Sequence, residues 1–196
     1  MHNNTAPAKW LQGLFYIHIA SLAVRLLSML PVADQLFTWL QRILIAGVIF
    51  CLFQLSPAGG RYRKAAILQA VYLGGVLVSI LLRSTAISLA ASICSLLSIY
   101  QEYCAHSELI AEKDVALSRK WHSLFTWSII AGVLVAVGSM IISVITVLAG
   151  METGRIIAVV MVIISLPDLI VSVFYLMYLK YTIRLLPQEE SGDLYG

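Results

Sequence analysis

The sequence predicts an all-α protein, a polytopic membrane bundle of about six transmembrane helices. Three observations carry this. Hydrophobic residues fill 60% of the 196 positions and charged residues 12%, against roughly 45–50% and about 25% in a soluble domain. Several apolar runs approach or exceed the roughly 20 residues that a helix needs to cross hydrocarbon. The alternating pattern of a barrel with a polar lumen is missing.

Breaks at Pro, Gly and charge clusters place helices at about 10–30, 35–55, 62–82, 85–111, 115–149 and 155–186. The first two are interrupted by His18, Arg25, Gln41 and Arg42, so four spans plus two N-terminal interfacial helices is the alternative architecture. The third and fourth carry small residues at steps of four, Ala66, Ala70 and Gly74 and then Ala86, Ala90, Cys94 and Ser98, a spacing that lets backbones approach closely. The fifth opens at Asp114, a good N-cap. The sixth holds Pro167 and Asp168 amid hydrocarbon. The separators LPVAD, SPAGGRYR, RST, EKD and GMETGR are short, which makes neighbours antiparallel hairpins within a single domain over 1–186. The polar tail 187–196, PQEESGDLYG, follows it.

Alternate connections collect Lys9, Arg61, Arg63, Lys64, Lys113, Arg119, Lys120, Lys180 and Arg184, against Arg83 and Arg155 on the other side. The positive-inside rule then puts both termini in the cytoplasm, with the cell membrane as the expected location. Trp10, Tyr62, Tyr100, Tyr103, Trp121, Trp127, Tyr178 and Tyr181 gather near those ends, where interfacial anchors are expected. The net charge of +3 is small, and its basic residues flank apolar runs, so it reads as topology rather than nucleic-acid affinity. The partner expected is the lipid bilayer, together with a homo-oligomer or a membrane-complex subunit. Cys51, Cys94 and Cys104 form no C-x-x-C, and a cysteine in an apolar run behaves as a small hydrophobe. The N-terminus carries no cleavable-signal pattern. Asn3-Asn4-Thr5 matches a glycosylation sequon.

Size and six possible spans are similar to the substrate-binding subunits of energy-coupling-factor vitamin transporters. The A-x-x-x-A pattern usual in their first helix is replaced here by HIASLAVRLL, and Ala86-x-x-x-Ala90 stands in the fourth helix instead. The resemblance is one of architecture and assigns no family.

Three sets of residues carry candidate chemistry. Asp168 falls near mid-membrane, where an isolated carboxylate is costly and must be neutral, paired or wet. Ser165, Ser172 and Tyr175 share its helix face, and His18, Arg25 and Arg42 reach toward its depth. This set points to a transporter or channel-like protein with a buried polar site of Asp168, Ser165, Ser172, Tyr175 and His18. The bland reading makes Ser165-Leu166-Pro167-Asp168 a capping box at a helix break.

The second set is a cytoplasmic helical hairpin at about 100–125, projecting beyond the bilayer. There Glu108 and Glu112 face Arg119 and Lys120 and would dock a soluble partner, the reading of a non-catalytic subunit or scaffold. The third set is Glu102, His106 and His122, a weak metal-ligand or acid–base group for an integral-membrane enzyme. Nucleotide-binding, dinucleotide-binding, zinc-protease and nucleophile-elbow motifs are missing from the sequence, so no cofactor is expected and catalysis is disfavoured.

Overall fold

The computed structural model describes residues 6–28, 34–149 and 154–186. The sequon at Asn3, the tail from Pro187 and the connections at 29–33 and 150–153 lie outside them. Six helices follow in order: α1 (Ala6–Ser28), α2 (Asp34–Gln54), α3 (Gly60–Leu82), α4 (Thr85–Ile110), α5 (Val115–Ala149) and α6 (Gly154–Leu185), with a 3-10 turn at Ser56–Ala58. Among the described residues there is no strand. The protein is a membrane-integral all-α bundle.

Local chemistry explains the boundaries. Asp114 caps α5 as expected, its Oδ1 accepting the Leu117 N–H at 2.8 Å. Arg83 ends α3 in the left-handed region at φ 49°, and the Ser84 N–H reaches back to the Ser79 carbonyl at 3.0 Å. That closure satisfies late carbonyls of α3 and turns the chain directly into α4.

Each helix packs on the next in sequence, and α1 also packs on α6, so the six close into a ring. The buried core gathers at one end of it, where Leu11, Leu52, Tyr62, Ile110, Trp121 and Leu179 bring all six helices together. Away from that end Leu81, Leu89, Met140 and Ile163 are exposed, an outer surface suited to acyl chains rather than water. Five helices are long and apolar enough to cross a membrane, α1 and α2 included. The polar helix is instead α4, which carries Ser88, Ser92, Ser95, Ser98, Gln101 and Glu102 and is not among the five. Its polarity is absorbed internally: Ser98 donates to the Ala65 carbonyl at 2.8 Å and Ser92 to the Ser88 carbonyl at 3.0 Å.

The hairpin at 100–125 does not project. Tyr103, Cys104, Ala105, His106, Ser107, Ile110, Leu117 and Trp121 are all buried, so both arms of this hairpin are part of the core. The excess helix length lies at the opposite end. α5 and α6 have 35 and 32 residues against 23 in α1, or about 52, 48 and 35 Å at about 1.5 Å per residue. The core holds their near ends together, and the Lys113 ammonium donates to the Leu185 carbonyl at 3.0 Å, so the surplus extends away from it. Tyr62, Tyr103 and Trp121, expected as interfacial anchors, are core residues for the same reason. Trp127 and Tyr181 are exposed on the outer surface, as anchors would be.

Helices α3 and α4 pack closely, as their small residues predict, with Ala66 and Ser98 buried as expected, but further along the contact shifts by one residue. A side chain at Gly75 would put its Cβ 2.8 Å from the Ala91 Cβ, whereas Gly74 has open space and Ala86 and Ala90 are exposed. Gly75→Val should therefore lower stability by about 1–3 kcal/mol through overpacking. Gly74→Ala should hold or raise it, because alanine is the better helix former. Thermal unfolding of the two variants in the same detergent checks the pair.

Candidate functional site

A cavity of about 240 Å³ lies inside the ring between α1, α4, α5 and α6. Its polar groups form two layers, because His18 and Arg25 on α1, like Asp168 and Tyr175 on α6, are seven residues apart. That spacing is about 10 Å of helix at about 1.5 Å per residue. The two helices run antiparallel, so His18 meets Tyr175 at one level and Arg25 meets Asp168 at the other.

The inner layer is centred on Glu102, which is buried. Tyr175 donates its hydroxyl to Glu102 Oε1 at 2.5 Å. His106 Nε2 and His18 Nε2 stand 3.6 and 3.8 Å from the same oxygen, beyond hydrogen-bond length and within ion-pair range. Both Nε2 atoms are buried without a hydrogen-bond partner, so the carboxylate is the acceptor within reach. Behind His106, the Tyr62 hydroxyl lies 2.9 Å from Nδ1. With Glu102 facing Nε2, the consistent tautomer carries its proton on Nε2 and accepts from Tyr62 at Nδ1.

Aromatic rings wall this layer. The Trp121 ring lies 4.6 Å from that of His106 and 5.4 Å from that of Tyr175, and His18 lies 4.5 Å from Tyr175. Trp121 is fixed in turn by donating to Thr182 Oγ1 at 3.1 Å. Low-polarity walls around an acid flanked by two imidazoles strengthen every electrostatic interaction inside. The arrangement sets two imidazoles and a phenol around one carboxylate, with imidazole the side chain whose ordinary titration lies nearest neutral pH.

The outer layer is the ion pair Arg25–Asp168. Arg25 Nη1 donates to Asp168 Oδ2 at 2.9 Å, and the two side chains are 47% and 44% exposed. The helix α6 runs unbroken through Pro167. Ser165 donates to the Val162 carbonyl at 2.8 Å and Ser172 to the Asp168 carbonyl at 2.9 Å. The acid therefore finds its partner on α1 rather than capping a break. Between the layers, Ser21 accepts from Gln41 Nε2 at 2.6 Å.

Comparison of the chain with family models, with curated proteins and with solved structures finds no match. Residues and geometry alone therefore carry the functional argument.

Of the residues singled out from the sequence, Asp168, Ser172, Tyr175 and His18 all line the cavity, and Ser165 is not among its lining residues. His18 serves Glu102 rather than Asp168. Arg42 stacks over the Trp39 ring at 4.5 Å. Glu102 and His106 are buried together while His122 is exposed, so the three do not converge. Among the described residues no group of three His, Cys, Asp or Glu side chains is placed to hold a metal ion. Glu108 reaches across to α3, where Arg61 Nε donates to it at 2.6 Å, instead of pairing along the turn with Arg119. Glu112, Arg119 and Lys120 are exposed.

Sequence reasoning names Arg25 only as one of three candidates by depth for Asp168, and misses Glu102 as the centre of a buried network. A signal for the second was present: Glu102 and His106 lie at i and i+4 on the helix face that also carries Ser98.

Proposed function

We propose that the protein is a transporter, or channel-like protein, that moves a small polar solute by way of this cavity. The observation that carries the reading is the two-layered interior: an ion pair at the outer level and a buried acid flanked by two histidines about 10 Å deeper. Ionisable side chains within membrane helices face pathways or cavities and pair with one another, and both hold here. A purely structural core at this position would be apolar, because ionisable groups within a membrane are costly to place. The basic flanks Lys9, Arg61, Lys64, Lys113 and Lys180 support an orientation with the inner layer toward the cytoplasm and the ion pair toward the far side of the cell membrane.

The test uses proteoliposomes offered a whole-cell small-molecule extract, with the solutes retained inside identified by mass spectrometry. The protein should accumulate at least one polar solute over empty vesicles. Asp168→Asn should reduce that uptake by about tenfold or more, the equivalent of roughly 1.4 kcal/mol of lost solute interaction. Identical solute profiles for protein, variant and empty vesicles would sink the transport reading.

A further inference from the structure

We propose that the cavity takes a small zwitterion with an apolar side group, of the α-amino acid class; the inference rests on the transport reading above and names its substrate. Four observations carry it. The first is size. A volume of about 240 Å³ lies below the roughly 300–1,000 Å³ of pockets for drug-sized ligands. The occupant is therefore small.

The second is the state of the outer pair. One hydrogen bond joins Arg25 and Asp168 among the described residues, and both side chains line the cavity. A guanidinium carries five N–H donors and a carboxylate about four acceptor sites. A positive and a negative group thus stand side by side with most of their hydrogen-bonding capacity unused. The ammonium and carboxylate of an α-amino acid are separated by a single carbon, so the ligand can lie head to tail against the pair. Its carboxylate then meets the Arg25 fork, and its ammonium meets Asp168.

The third is what the alternatives would leave behind. A simple cation bound to Asp168 competes with Arg25 and leaves the guanidinium without its counter-ion. A simple anion bound to Arg25 strands Asp168 in the same way. Sites reject analogues that leave their polar groups unpaired far more sharply than analogues that differ in apolar size. A ligand with both charges leaves neither group alone. Glu102 does not change this balance, since Tyr175 already donates to it and both imidazoles face it.

The fourth is the remaining lining. Leu22, Leu96, Ile99, Phe125 and Val171 face the same space and suit a small hydrocarbon side group.

The experiment compares three matched probes on the purified protein: L-valine, isobutylamine, which lacks the carboxylate, and isovalerate, which lacks the ammonium. Equilibrium dialysis gives each dissociation constant, with the thermal-unfolding midpoint as a second readout. Valine should bind saturably and at least about tenfold more tightly than either analogue. Arg25→Gln and Asp168→Asn should each remove that preference. The comparison of probes on the unaltered protein stands even where a variant fails to fold. Binding of isobutylamine or isovalerate as tight as that of valine would overturn the zwitterion assignment while leaving a solute cavity in place. Absence of binding by all three would overturn it as well, and uptake from the whole extract, which is blind to ligand class, decides the transport reading separately.

Discussion

Glu102→Ala should be among the most damaging single changes in this protein, lowering unfolding stability by about 3 kcal/mol or more. The carboxylate is the acceptor for Tyr175 and the nearby counter-group of His18 and His106. Removing it leaves three buried polar groups facing one another, each orphaned group costing roughly 1–3 kcal/mol. Glu102→Gln keeps an acceptor oxygen for Tyr175 and should cost markedly less. It also removes the ionisable carboxylate that faces the two imidazoles. The pair of variants thus separates two roles. If Glu102 only holds the helices together, Gln restores both stability and uptake; if it also carries a proton, Gln restores stability alone. Denaturant or thermal unfolding in detergent, read beside proteoliposome uptake, distinguishes these. Equal stability of Glu102→Ala and the parent protein would show that the network contributes nothing to folding.

Trp121→Ala is expected to act with comparable force by a different route. The side chain is fully buried, and truncating a buried Trp to Ala costs about 3–5 kcal/mol in lost transfer energy and cavity formation. It further strips Thr182 of its donor and takes away the ring stacked beside His106. Trp121→Phe should recover most of the packing without the hydrogen bond. The midpoint should therefore fall in the order parent, Phe, Ala, by roughly 2–4 °C per kcal/mol for a chain of this length. Indistinguishable midpoints for Ala and Phe would mean that the ring volume is not what holds this end of the bundle.

The helix boundaries were largely legible before any coordinates. Expected spans of about 62–82, 85–111 and 115–149 compare with Gly60–Leu82, Thr85–Ile110 and Val115–Ala149, because Gly, Pro and charge clusters interrupt an apolar run wherever the chain must leave the bilayer. Depth was legible too. Counting residues from the ends placed Arg25 within reach of Asp168 as one of three candidates.

What could not be read was azimuth. A helix of nearly uniform hydrophobicity gives no amphipathic stripe to say which side looks inward, since lipid and core are both apolar. The small-residue contact was therefore assigned to Gly74 rather than Gly75, and His18 was matched to Asp168 rather than to Glu102. The hairpin at about 100–125 reads as a projection because its charges resemble a solvated surface. Only the packing reveals that the residues between those charges are the core.

The contact of α1 with α6 also has a meaning for biosynthesis. The chain emerges from the ribosome with its N-terminal helix first, and Arg25 lies 143 residues ahead of Asp168. At about 5–20 residues per second, the arginine waits roughly 7–30 s for its counter-ion. Tyr175, the donor to Glu102, arrives later still. Until α6 inserts, the unfinished ring holds unmatched charge within the bilayer. A nascent chain that stops short therefore leaves Arg25 and Glu102 without their partners on α6, and so bears its own mark of incompleteness.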